Sequence, residues 1–184
     1  IKQKPNKRIF GARFHLGIFN LSNIEKEKWP HKWLREIGEE PVVFDPYSTY
    51  KSTGQIKSYV ASKGYFDSNV LETIETANRK TKVFYNIDLK EPYKIRHISY
   101  EIADSNIKLL FDFDSVNCLI RRGEPYDVDV LQAEMKRVER DIKDFGFYNF
   151  SSDFISFNVD STIGNRQVDI YYNIRKFLKV DEKN

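Results

Sequence analysis

Apolar and polar residues alternate most cleanly near the end of the chain. Val168, Ile170, Tyr172 and Ile174 occupy every second position, the period of a strand with one buried face. Ile155, Phe157 and Val159 do the same within Phe154 to Asp160, and Ser161 to Arg166, with Gly164-Asn165, reads as the turn between these strands. Upstream the period changes. Leu131, Met135, Val138, Ile142 and Phe145 follow spacings of 4, 3, 4 and 3, which is one apolar stripe on a long helix. Glu134, Lys136, Arg137, Glu139, Arg140 and Lys143 are assigned to its solvent side, with Glu139 and Lys143 paired four apart. Asp129 and Gln132 read as a capping box, and Gly146 as a left-handed helix end. Tyr93 to Ile102 alternates through Ile98, Tyr100 and Ile102, and Asp104-Ser105 opens short helical turns that break near Asp112-Phe113-Asp114. The predicted order for residues 93–180 is strand, helix, helix, strand, strand.

The first half carries the same order from its helices onward. Trp33, Leu34 and Ile37 make a helical turn or two before Gly38. Ser52 and Gln55 read as a second capping box, and Ile56, Tyr59 and Val60 as the apolar side of a helix that stops at Gly64. Asn69 to Thr76 is a strand, Ala77 to Thr81 a turn, and Val83, Tyr85, Ile87 and Leu89 alternate along a closing strand. Phe14, Leu16 and Ile18 alternate and could supply a first strand; the preferred expectation places that strand upstream of Ile1. Three phrases recur in register. Gly38-Glu39-Glu40-Pro41 returns as Gly123-Glu124-Pro125, 85 positions on; Gly64-Tyr65-Phe66 as Gly146-Phe147-Tyr148, 82 on; and Tyr85-Asn86-Ile87 as Tyr172-Asn173-Ile174, 87 on. Such landmarks mark two copies of one small unit, expected at 1–92 and 93–180, with Gly38, Gly64, Gly123 and Gly146 as structural positions.

Composition changes this picture little. The 184 residues are 40% hydrophobic and 31% charged, the signature of a chain that can bury a core. With 14 Phe and 11 Tyr, the chain suits pleated, half-buried surfaces. A single cysteine, Cys118, excludes an internal disulfide. Charge is uneven: residues 1–24 hold Lys2, Lys4, Lys7, Arg8 and Arg13 and no acid, whereas 93–184 sum to −2 from 14 bases and 16 acids. The basic arm reads first as a solvated, partly ordered leader, with weak, salt-sensitive contact to anionic lipid as the functional expectation.

The strand-helix-helix-strand-strand unit, with Gly-aromatic-aromatic ending its second helix, resembles the POTRA domain of BamA/TamA-family outer-membrane proteins. The wording of Gln3-Lys4-Pro5-Asn6, Phe10-Gly11, Leu16 to Asn20, Gly38 to Val42 with Asp45, Gly64 to Asp67, Gly123 to Glu134, and Gly146 to Phe150 resembles the TamA-like outer-membrane lipoproteins of Bacteroidetes. That family's lipidated N-terminal cysteine and its barrel strands have no counterpart in these 184 residues. The resemblance implies an α+β fold of tandem units, each a three-stranded sheet with two helices on one face. It implies a place on the periplasmic side of the outer membrane, within a longer membrane-anchored protein. It also implies that the third strand of each sheet is central and the second an open edge. Those edges are Asn69, Val70, Leu71, Glu72 and Thr73, running on to Glu75, and Phe154, Ile155, Ser156, Phe157, Asn158 and Val159, running on to Asp160.

An edge offers unpaired N–H and C=O groups to any extended chain, so the expected function is a scaffold that binds client or partner strands by β-augmentation. The partners implied are unfolded outer-membrane proteins or a periplasmic or inner-membrane protein. Glu72, Glu75, Asp153 and Asp160 read as charges that discourage uncontrolled pairing. A structural spacer between barrel and partner is the alternative. A nucleic-acid module is a third class, disfavoured by the net acidity of 93–184. Catalysis, a metal and a cofactor are not expected. His15, His31 and His97 lack ligand spacing, Asp112-Phe113-Asp114 reads as a cap for a helical turn, Cys118 has no histidine nearby, and no glycine loop could cradle phosphate.

Overall fold

The computed structural model describes residues 4–176, apart from the side chains of 113–115. The fold is α+β. In chain order the elements are α1 (Phe14–Asn20), α2 (His31–Ile37), α3 (Pro46–Ser62), β1 (Asn69–Ala77), β2 (Lys80–Asp88), β3 (Lys94–Ile102), α4 (Ser105–Asp114), α5 (Val128–Asp144), β4 (Ile155–Asp160) and β5 (Gln167–Ile174). Packing groups the residues through Ile56 with Val70–Asn86 as one compact unit, and Lys57–Asn69 with those from Ile87 onward as the other.

The second unit holds a three-stranded sheet in the order β3-β5-β4, with β5 parallel to β3 and antiparallel to β4. Val168, Ile170, Tyr172 and Ile174 are all buried, as their alternation predicts. They meet Ile107 and Phe111 of α4 and Leu131, Val138 and Ile142 of α5 in a single core. Tyr172 sits at its centre, with aromatic neighbours Tyr100, Phe111 and Phe157 at centroid distances of 5.6, 5.2 and 4.6 Å. A bulge between Ile95 and His97 shifts the β3 register, so that Ile95 and Ile98, three apart, are both buried.

Three local expectations change. Asp127, not Asp129, caps α5: its side chain accepts from the Asp129 backbone N–H at 2.8 Å, while Asp129 lies in the first turn. Glu134 is not on the solvent side but fully buried, where Arg137 and the Leu119 N–H satisfy its carboxylate. Phe145, at the end of the apolar stripe, is exposed. The Glu139–Lys143 pair forms at 2.6 Å. Asp104 accepts from the backbone N–H groups of Asn106 and Ile107 and so starts α4. The cap reading of Asp112-Phe113-Asp114 rests partly on side chains outside the described residues.

Residues 57–69 join this unit through several bonds. Tyr93 N–H donates to the Gly64 carbonyl at 2.8 Å, Lys63 reaches Asp127 and Asp129 at 3.0 and 2.6 Å, and Phe66 packs edge-on against Tyr93. Bonding to Asp129 and then Asp127 raises the Lys63 pKa above its ordinary value. The Gly-aromatic repeat is literal in the backbone. Gly64 N–H donates to Ala61 O, Tyr65 N–H to Val60 O and Ser68 N–H to Tyr65 O. Gly146 to Lys143, Phe147 to Ile142 and Phe150 to Phe147 repeat the same three bonds at one offset. Both glycines are left-handed, with φ of +87° and +93°.

In the first unit β1 and β2 form a two-stranded sheet among the described residues. Their turn is Asn78-Arg79, both left-handed with φ of +50° and +58°, the conformation that suits a two-residue hairpin. Phe14–Asn20, offered as a first strand, is helical instead. Ser52 is not a cap but lies inside α3, its hydroxyl returned to Ser48 O at 2.7 Å. Asp45 takes the capping role, accepting from the Tyr47 and Ser48 backbone N–H groups, with Pro46 at the first helical position. Of the apolar side expected for α3, Val60 is buried and Tyr59 exposed. The basic segment exposes Lys4, Lys7 and Arg8 to solvent but is tethered at Asn6, which is buried, donating to Glu40 O at 2.7 Å and accepting from Val42 N–H at 3.1 Å.

Candidate functional site

The expected edge strand of the second unit begins in a capped turn. Ser151 caps the short 3-10 turn Ser152–Phe154, so Phe154 precedes β4 rather than belonging to it. Glu139, held by Lys143, also accepts the Ser152 N–H at 2.9 Å and so ties the entry of β4 to helix α5. Those two bonds hold the Glu139 carboxyl below its usual range, Lys143 contributing most.

Register then decides which backbone groups are free. β4 pairs with β5 from Ile155↔Ile174 to Asp160↔Asp169 and has no partner on its other side among the described residues. Arg175 N–H donates to Phe154 O at 2.9 Å, which makes Phe154 and Arg175 a hydrogen-bonded pair. Antiparallel ladders alternate, so Ser156, Asn158 and Asp160 turn their backbone groups toward β5, while Ile155, Phe157 and Val159 turn theirs outward. The β5–β3 side agrees. Ile174 and Arg166, of the opposite parity, give their carbonyls to Ala103 and Lys94 N–H at 3.0 and 2.9 Å. Ile155, Phe157 and Val159 thus combine core-facing side chains with outward-facing N–H and C=O groups. Ser156 and Asn158 are exposed on the opposite face.

The first half of the opposite edge, β3, is covered from within. Ile95 donates to Glu124 O at 2.9 Å and accepts from Gly123 N–H at 2.7 Å; Tyr126 N–H donates to Tyr93 O at 2.9 Å. The repeated Gly-Glu-Pro phrase is the strap over this edge, and Pro125, opposite Lys94, contributes no N–H of its own. Its counterpart Gly38 has a different reason to be glycine: a Cβ there would stand 2.7 Å from the Leu34 carbonyl oxygen and the Phe19 nitrogen.

Charges on β4 do more than guard an edge. Asp160 lies opposite Asp169, two acids side by side. Arg96 offsets one of the two charges by gripping Asp169 with two bonds, at 2.9 and 2.5 Å, which lowers the Asp169 pKa. Asp160 turns back onto Thr162, whose hydroxyl and N–H lower its pKa in that order. Asp153 is exposed beside Ser151.

In the first unit the predicted edge residues all lie on β1. Val70 is buried, Asn69, Leu71 and Thr73 are exposed, and Glu72 is half-buried. Glu72 accepts from the Thr53 hydroxyl of α3 at 2.8 Å, and Thr73 accepts from the Asn86 amide of β2 at 3.0 Å. Glu75 is exposed. Glu72 is therefore a bond to the helix rather than a free edge charge.

Among the described residues no group of three or more His, Cys, Asp and Glu side chains gathers to hold a metal. His97 receives Arg122 at 3.1 Å. Cys118 is buried beside the Tyr100 hydroxyl, its pKa raised first by burial. No helix among the described residues is long and apolar enough to cross a membrane. Glu134, Asp127 and Asn6 carry positions that periodicity could not single out, since each is a polar residue whose partner lies elsewhere in the chain.

No protein-family model matches the chain, and no curated protein matches it. Solved POTRA structures are similar to it. A BamA from Haemophilus ducreyi lacking POTRA domains 1-3 is 18% identical over 76% of this chain and 25% of its own, with a TM-score of 0.45. Haemophilus influenzae BamA POTRA3-5 is 14% identical over 72% of this chain and 49% of its own, with a TM-score of 0.41. POTRA1-3 of the periplasmic domain of Omp85 from Anabaena is 12% identical over 87% of this chain and 62% of its own, with a TM-score of 0.37. The chain spans less than two thirds of the length of each.

Proposed function

We propose that this chain is a tandem POTRA-like scaffold, with units at 1–92 and 93–180, that works in the periplasm as part of an outer-membrane protein assembly factor. Its task is to hold extended client or partner strands by β-augmentation. The closer likeness to the TamA-like lipoproteins of Bacteroidetes rests on the sequence phrases quoted above. The observation that carries the binding reading is β4, paired on one side only among the described residues, with the backbone groups of Ile155, Phe157 and Val159 facing outward. Main-chain pairing tolerates many client sequences, because specificity resides in side-chain pockets rather than in the ladder. Affinity is weak, since an unfolded strand loses its freedom on binding.

The register decides where a proline is informative. A proline at Asn158 removes a donor from the β4–β5 ladder, whereas one at Val159 removes an outward donor and spares the ladder. NMR titration with peptides copied from barrel strands should shift residues 155–160, and Val159→Pro should abolish those shifts while the remaining spectrum stays folded. Shifts confined to α4 and α5, or none at millimolar peptide, would leave the spacer reading in place.

A further inference from the structure

A cleft of about 760 Å³ lies within the first unit, between the 4–13 segment, Pro41–Phe44 and the start of β2. Among the described residues six cations line it, Lys4, Arg8, Arg13, Arg79, Lys80 and Lys82, and no Asp or Glu does. None of the six forms an ion pair among the described residues. Elsewhere in the molecule cations find partners readily, as Lys63, Arg96 and Arg137 do. Six like charges around one concavity repel one another unless an anion from outside fills it.

The walls are built rather than loose. Buried Asn6 fastens the arm to Glu40 and Val42, and Lys7 N–H donates to the Glu39 carboxylate at 3.0 Å. The Ile9–Ala12 turn closes with two backbone bonds of 2.9 and 3.0 Å, through Phe10 and Gly11 in left-handed conformations. That turn separates Arg8 from Arg13 and leaves Phe10 fully exposed at its tip. Val42, Val43 and Phe84 are also exposed and add apolar surface to the cleft.

We propose that this cleft seats the phosphate-bearing headgroup of an anionic lipid, with Phe10 entering the boundary between headgroups and acyl chains. Arginine forks match phosphate oxygens in pairs, and lysines add point charge. An aromatic side chain beside basic residues is the composition that settles at a membrane surface. A nucleic acid asks instead for a groove that tracks successive phosphates past a series of aromatic platforms; here the cations ring a single concavity rather than an extended track. The site is separate from the β4 edge and stands or falls independently of it.

The test is vesicle sedimentation of the full chain. Vesicles containing phosphatidylglycerol should bind it, phosphatidylcholine alone should not, and added salt should weaken binding. Lys80→Glu with Lys82→Glu, both exposed on β2, should lower affinity by about tenfold or more. Lys28→Glu with Lys32→Glu changes net charge equally at exposed positions away from the cleft and should have a much smaller effect. Phe10→Ser should weaken vesicle binding with no loss of folded signal by circular dichroism, and it serves if the β2 variant does not fold. Equal losses from the two lysine pairs would reduce the effect to net charge and overturn the site. Full displacement by millimolar inorganic phosphate, or tighter binding of a single-stranded oligonucleotide at the same salt, would overturn the lipid assignment.

Discussion

Gly64 and Gly146 offer a matched pair for separating backbone strain from crowding. They occupy equivalent helix ends, make equivalent hydrogen bonds and share φ values of +87° and +93°. Alanine at either must adopt a left-handed conformation, which costs about 1–2 kcal/mol. Their surroundings differ. A Cβ at Gly146 meets nothing within 4 Å, whereas one at Gly64 would stand 2.6 Å from the Tyr126 carbonyl oxygen. Tyr126 has little room to retreat, being buried and bonded through its N–H to Tyr93 O at 2.9 Å. Overpacking of this kind adds roughly 1–3 kcal/mol. Gly146→Ala should therefore cost about 1–2 kcal/mol and Gly64→Ala about 2–5 kcal/mol. Urea unfolding followed by far-ultraviolet circular dichroism measures both; tryptophan fluorescence is unsuitable, because Trp29 and Trp33 both lie in the first unit. Equal losses at the two positions would refute the crowding term, and no loss at Gly146 would refute the strain term.

Glu134→Ala should cost about 2–3 kcal/mol, since it strands the Leu119 N–H and removes two Arg137 bonds in a buried setting; the same urea titration checks it. Met135→Asp should cost less than Leu131→Asp, because Met135 is only half-buried whereas Leu131 is in the core. Stability should fall on acidification below about pH 4. Asp169, Asp160 and Glu139 have lowered folded-state pKa values, so their contribution is complete above the unfolded-state value and is lost as pH falls through the folded one. Arg96→Gln should shrink that acid-sensitive part by freeing Asp169, as pH-dependent melting would reveal; an unchanged acid slope would count against the pair.

Legibility in the sequence followed the physics of each signal. Alternation located β5 and the inward side of β4, because a buried face with period 2 admits few other readings. The helix stripe likewise located α5. Capping was legible in type but not in place. Asp127 and Asp129 both suit a cap, and only the extended backbone of Asp127, with φ −147° and ψ 121°, selects between them. Phe14, Leu16 and Ile18 mislead because three alternating residues in a short apolar run fit a single helical turn as well as a strand. Glu134 was invisible since a charged residue beside a stripe is ordinarily solvated; its burial depends on Arg137 one turn away and on a backbone N–H fifteen residues back. The basic cleft escaped for the same reason. Arg79 to Lys82 meet the 4–13 segment only in three dimensions, and composition showed just the arm.

The Gly123-Glu124-Pro125 strap also bears on how copies of this protein meet. With the start of β3 closed by its own chain, β4 is the edge of the sheet left unpaired along its whole length among the described residues. Two molecules that join through β4 face one another across a two-fold axis, and each consumes the other's edge. Self-association through β4 alone ends at a pair, since each copy leaves no free β4 for a third.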